Sequence, residues 1–241
     1  MGFIIDPYRF GSSFPQPFAY YALESDGTDS TSNSYDATTE TDCTFSSAVV
    51  SNGVDGNNTT TQMIFAGYSP DPFINMFYDG SSEKAGSIAF WVKFNTITNN
   101  DRILSTRLSG TLLCWEVHVS GTNLRFAIYD TDGSNYIYVQ YTGFSTATWY
   151  HIVFTYSGNQ ADTGLNMYVD GSNVGTAGTT GTYTQGENDG SALSFMSMNQ
   201  GGSPTLHFNG SVDELGFWGE ELTSDNVSYL YNSGTGRTWP L

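Results

Sequence analysis

Positive charge is what this sequence has least of: 7 Lys and Arg stand against 24 Asp and Glu, a net charge of −17 over 241 residues. A field of that sign repels phosphate backbones and anionic bilayers, so no nucleic-acid partner is expected. Cysteine is nearly absent as well. Cys43 and Cys114 lie far apart with no C-x-x-C neighbour, which argues against a zinc or redox motif and leaves two free thiols as the expectation. No apolar run reaches the length of a membrane span, so no membrane insertion is expected. The opening MGFIIDPYRFG has only Phe3-Ile4-Ile5 before Asp6 and Pro7, too short and polar for a signal peptide. Made without a leader, the chain is expected to be left in a cytoplasm. Also missing are the G-x-S-x-G, P-loop and dinucleotide patterns, so nucleophilic and nucleotide chemistry have no sequence support.

What is present is aromatic: 15% of residues are Phe, Trp or Tyr while 13% carry charge. Short Val/Ile/Tyr/Phe runs separated by Gly, Ser, Thr and Asn favour strands and turns. Period-two alternation predicts strands in SIAFWVKF, CWEVHVSG, NLRFAIYD and NYIYVQYT, with Trp115, Val117 and Val119 on one face and Glu116 and His118 opposite. WYHIVFTY is apolar on both faces and reads as a central strand, and LNMYVDGSNV as a hairpin. TSDNVSYLYNSG is the one convincing helix, with Thr223 or Ser224 as cap and Gly234 as its end. The fold class expected is all-β: a two-sheet antiparallel jelly-roll sandwich with one short C-terminal helix. Residues 1–18 form a separate extended arm, because Pro7, Pro15 and Pro17 deny it a helix, and residues 19–241 form the sandwich. The arm carries Phe3, Ile5, Tyr8, Phe10 and Phe14, more apolar surface than a solvated tail needs, so it either lies along its own domain as an edge strand or serves as a docking segment for another chain.

The stretch NGSVDELGFW sets Asp213 beside Glu214. Strict strand alternation points them to opposite faces, so they are not expected to act on one substrate atom, and the E-x-D-x-E spacing of a jelly-roll glycanase does not occur. The three histidines lie on separate strands without a His or Cys at ligand spacing and are expected to be structural. Sugar binding needs exposed aromatic faces beside hydrogen-bonding groups. That mixture occurs in Tyr68, Phe73 and Tyr78 of the loop GYSPDPFINMFYDG, and in Asn135, Tyr136, Tyr138 and Gln140. The same residues fit a protein interface or the core.

The run FNGSVDELGFWGEELTSDNVSYLYNSG resembles the closing motif of laminin G-like, concanavalin A-like lectin domains. FAYYALESDGTDSTSNSYDATTETDCTF, GSIAFWVKF and WYHIVFTYSG…LNMYVDGSNVG are similar to the family's opening loop, first long strand and central hairpin, so the resemblance spans about residues 18–236. It implies a curved two-sheet sandwich of the kind found in carbohydrate-binding modules, adhesins and bacteriophage virion proteins. Several domains of this kind hold a structural calcium ion between the opening loop and the closing strand, where Asp29 and Asp213 match by position; the alternative is that Asp213 accepts backbone N–H bonds at a strand bend. The expected function is a non-enzymatic decoration or adhesion protein of a virus particle, bound to capsid or tail proteins through its arm, homo-oligomeric there, and displaying a surface to host glycans. A free carbohydrate-binding lectin is the alternative, and a polysaccharide-degrading enzyme a more distant one.

Overall fold

The computed structural model describes residues 14–97, 100–108, 112–131, 133–200 and 202–241. The chain forms β1 (Ala19–Tyr21), β2 (Thr39–Thr41), β3 (Thr44–Ser47), β4 (Asn52–Asp55), β5 (Gln62–Phe65), β6 (Gly86–Phe94), β7 (Arg102–Ser105), β8 (Trp115–Ser120) and β9 (Asn123–Tyr129). It continues with β10 (Tyr136–Tyr141), β11 (Trp149–Tyr156), β12 (Leu165–Val169), β13 (Ser172–Asn173), β14 (Thr176–Thr180), β15 (Leu193–Phe195), β16 (Met198–Gln200), β17 (Ser203–Thr205) and β18 (Gly210–Trp218), then α1 (Ser224–Tyr231). One sheet runs β13-β12-β11-β6-β18-β4-β3, with β1 also paired to β18; the other runs β14-β10-β9-β8-β7-β15-β5-β2. All these pairings are antiparallel. The expected sandwich with one short helix is what forms.

Alternation decides which side chains fill the space between the sheets. From the first sheet come Ile88, Phe90, Val92 and Phe94 of β6 and Ile152, Phe154 and Tyr156 of β11. From the second come Trp115, Val117 and Val119 of β8 and Leu124, Phe126 and Ile128 of β9. Each such side chain contributes roughly 1.5–3 kcal/mol through burial.

The outer faces of the two sheets differ, and the difference positions the site. The first sheet turns Ala89, Val153, Trp218 and Tyr20 outward, where Val227 and Leu230 of α1 cover them. Thr223 caps that helix: its hydroxyl accepts from the Asn226 N–H and the Asn226 side chain accepts from the Thr223 N–H. The helix ends at Asn232, in the left-handed region at φ 47°, two residues before the expected Gly234. Among the described residues α1 is the only α-helix, and the central strands β8, β9 and β10 of the second sheet turn polar and aromatic residues outward.

Phe14 is 3% exposed, stacked on Tyr229 at 5.0 Å and edge-on to Trp218 at 6.3 Å, while the Trp218 indole N–H donates to the Pro15 carbonyl. The end of the arm therefore belongs to its own domain's apolar cluster, because it supplies the acceptor that a buried indole requires. Phe3, Ile5, Tyr8 and Phe10 lie outside the described residues.

The alternation expected for Asp213 and Glu214 fails. The β6–β18 register shifts between Asp213 and Gly216, and Glu214 takes φ 52°. Val212 and Leu215 both reach the inter-sheet core, so this bulge uses two residues where one would fit. Asp213 pairs with Trp91, which lines a small outer-face cavity with Glu214, His151 and Trp218. Both carboxylates thus sit on the outer side of the first sheet, beneath the C-terminal segment and closed to a substrate.

Candidate binding face

On the second sheet the register aligns Arg102 of β7, His118 of β8, Arg125 of β9 and Gln140 of β10 in one outward row. A second row holds Glu116, Ala127 and Tyr138, and the neighbouring pair is Tyr129 with Tyr136. On the inner side of the row sits an ion pair: Arg102 Nε donates to Glu116 Oε2 at 2.8 Å, and the Tyr129 hydroxyl donates to Glu116 Oε1 at 2.8 Å. Burial alone would raise the Glu116 carboxyl. The neighbouring His118 and the charges of Arg102 and Arg107 outweigh burial and hold it below the ordinary range. Burial lowers His118 to about 4, so at neutral pH its ring is uncharged and Arg102 is the cation that balances Glu116.

The outward edge of the face is aromatic and half-exposed. Tyr136 and Tyr138 lie 5.9 Å apart, Tyr129 and Tyr136 4.8 Å apart, and the Arg125 guanidinium sits 4.4 Å over the Tyr138 ring. Tyr138 can lean across β14 because Gly178 opposite it has no side chain; a Cβ there would lie 2.7 Å from the tyrosine oxygen. The exposed Thr176 and Thr180 pair with Gln140 and Tyr136 along the same edge. Stacking rings, amide, guanidinium and hydroxyls on one rigid sheet are what a sugar ring's apolar faces and hydroxyl edges require.

Of the candidate surface residues, the structure brings Tyr136, Tyr138 and Gln140 together, with Asn135 beside them bracing the hairpin through Asp130 and the Thr182 N–H. The loop residues lie elsewhere. Phe73 is fully buried against Phe18, Phe65 and Phe217, and its carbonyl accepts the Trp115 indole N–H at 2.7 Å. Tyr78 is buried too, and Tyr68 packs on Tyr35 and donates to the Asp36 carbonyl. This loop closes one end of the core, because a central tryptophan takes its hydrogen-bond acceptor from it, and of its three candidate rings Tyr68 alone stays half-exposed. Arg125 was missed in the sequence; its signal is an arginine on the polar side of NLRFAIY, next to the tyrosines of YIYVQY.

Asp29 and Asp213 each belong to a separate set of hydrogen bonds. Asp29 Oδ1 accepts from the Tyr20 and Thr31 N–H groups, and Oδ2 from the Tyr35 N–H and the Thr31 hydroxyl, leaving no oxygen for an ion. Asp213 Oδ2 accepts from the Val49 and Val50 N–H groups at 3.1 and 2.9 Å. Each carboxylate braces its own loop. Among the described residues no group of three or more His, Cys, Asp or Glu gathers to hold a metal.

The geometry defines a lectin-type sandwich with an aromatic and arginine-bearing outer face. The sequence pattern of the concanavalin A-like lectin/glucanases superfamily, in its laminin G form, matches residues 75–228, and the chain belongs to that superfamily. No curated protein sequence matches the chain. Among solved structures it is similar to the botulinum neurotoxin type G receptor-binding domain (17% identity, TM-score 0.59, 90% of this chain and 51% of that one). It is also similar to the binding domain of Paraclostridial Mosquitocidal Protein 1 (16% identity, TM-score 0.64, 89% and 51%). A third is the botulinum neurotoxin serotype D ligand-binding domain in complex with N-acetylneuraminic acid (12% identity, TM-score 0.61, 90% and 51%). The chain spans about half the length of these structures, and the likeness is one of fold.

Proposed function

We propose that this domain is a non-catalytic, carbohydrate-binding module whose ligand lies on the outer face of the second sheet. The observation that carries the reading is the half-exposed ensemble of Tyr136, Tyr138, Arg125 and Gln140 on rigid strands β9 and β10. Membership of a lectin-bearing superfamily and similarity in fold to neurotoxin receptor-binding and ligand-binding domains support it. Hydrolysis is disfavoured because Glu116, the carboxylate on the same face, is fully buried and its two oxygens are engaged by Arg102 and Tyr129. Electrophoresis of the full chain through gels cast with soluble polysaccharides tests the proposal. Retardation by at least one polysaccharide, abolished in Tyr138→Ala without a change in melting temperature, is expected. Unretarded migration in all of them, or turnover of β-glucans or alginate, contradicts it.

Display of this module on a virus particle is a second proposal. It rests on the aromatic, proline-bearing composition of residues 1–18. Mass spectrometry of gradient-purified particles tests it: the chain should band with the capsid, and confinement to the soluble fraction removes the idea.

A further inference from the structure

Arg125 is a cation held flat and in place without a counter-charge. It projects from β9 between Leu124 and Phe126, which both point into the core, so its guanidinium stands half-exposed on the outer face. Its Nε and Nη2 groups both donate to Gln140 Oε1, at 3.0 and 2.7 Å, while Nη1 lies 3.5 Å from the Tyr136 hydroxyl and Tyr138 backs the plane. Among the described residues no carboxylate lies within 4.0 Å of it. That is unexpected in a chain with 24 acids and 7 bases, where a surface arginine has acidic partners in excess. The nearby carboxylate, Glu116, is already taken up by Arg102 and Tyr129, and His118 alongside is uncharged at neutral pH.

A guanidinium presents five N–H groups in fixed directions. Here the edge formed by Nε and Nη2 is spent on Gln140, which fixes the orientation of the remaining donors. The fork between Nη1 and Nη2 is left, and its two parallel N–H groups match the paired oxygens of a carboxylate or sulfate. The guanidinium itself lies on the Tyr138 ring, so the half-exposed Tyr136 beside it supplies the ring face for a sugar that carries such a group.

We propose that the Arg125 fork, oriented by Gln140 and stacked on Tyr138, recognises the anionic substituent of an acidic saccharide, either a carboxylate or a sulfate ester. This rests on the reading of the face as a carbohydrate site and specifies its ligand. It also accounts for an arginine that meets no carboxylate among the described residues of an acidic chain: the local charge selects the ligand, while the overall charge of −17 disfavours polyanions that lack a fitting ring.

The test is an array of matched glycans probed with the full chain, each sialylated, uronate-bearing or sulfated glycan beside its neutral core. Acidic members should bind about tenfold or more above their neutral partners. The preference should vanish in Arg125→Gln and be only partly kept in Arg125→Lys, which retains charge but not the fork. Comparison of the carboxylate and sulfate series identifies which group is read. Equal binding of acidic and neutral partners, or a preference that survives in Arg125→Gln, overturns the proposal and leaves the carbohydrate reading standing. Failure to bind any member overturns both. Melting temperatures of the two variants exclude a folding defect, and an acidic-to-neutral ratio near one for the unaltered chain overturns the proposal independently of either variant.

Discussion

Replacing Asp213 with asparagine should flatten the pH dependence of stability. Asp213 is fully buried, and burial outweighs the Val49 and Val50 N–H groups to push its carboxyl from 3.8 up to about 7. The native state therefore keeps a proton that the unfolded chain releases near its ordinary value. Stability from that proton is complete below about pH 4, declines as the pH rises, and is gone once the pH passes about 7. The difference corresponds to about 4 kcal/mol at most. For a chain of this size 1 kcal/mol moves the melting temperature by about 2–4 °C, so the wild type should lose on the order of 10 °C between pH 5 and pH 8 from this group. The asparagine amide cannot ionise, yet its oxygen can still accept from both N–H groups. Glu214 acts in the same direction, since burial pushes it up to about 8 despite the Tyr20 hydroxyl that donates to it. Adding Glu214→Gln should flatten the curve further. Circular-dichroism melts from pH 5 to pH 8 give the readout, and parallel curves for wild type and Asp213→Asn would refute the reasoning.

Three further outcomes are expected. Phe14→Ala removes a buried ring from the cluster of Trp218 and Tyr229 and should cost about 3–5 kcal/mol in chemical denaturation, whereas a ring free to serve a partner would cost almost nothing. Gly178→Ala places a Cβ 2.7 Å from the Tyr138 oxygen, so it should displace that ring and weaken glycan binding several-fold while the melting temperature stays within about 2 °C; undiminished binding would show that Tyr138 is not a platform. Because Asp29 spends its oxygens on backbone and hydroxyl donors, melts in EDTA and in calcium should coincide, and a rise with calcium would restore the metal reading.

The sandwich was legible because β6, β8 and β9 send alternate apolar residues into the core, while β11, apolar on both faces, reads as a central strand. The helix was legible from its cap, and it ends early because Asn232 adopts the left-handed conformation that glycine usually supplies. The bulge at Glu214 was not legible, since nothing in VDELGF distinguishes two residues sharing one pleat from two alternating ones. Half of the aromatic surface was misassigned for a related reason. Phe73 and Tyr78 sit in a loop rich in Pro, Asp and Asn, yet the buried Trp115 N–H draws that loop over the core, a long-range demand that local composition does not express. Tyr136, Tyr138 and Gln140 were recoverable because alternation alone puts them on one face of β10, whereas Arg125 required the register that sets β9 beside it.

The most direct test of the carbohydrate site is to map where a bound oligosaccharide perturbs the backbone amides of the isotope-labelled full chain. Shifts should concentrate on β9, β10 and β14 around Arg125, Tyr138 and Gly178, with the loop 67–80 unchanged. Shifts confined to that loop or to the helix-covered face of the first sheet would contradict a ligand on the second sheet.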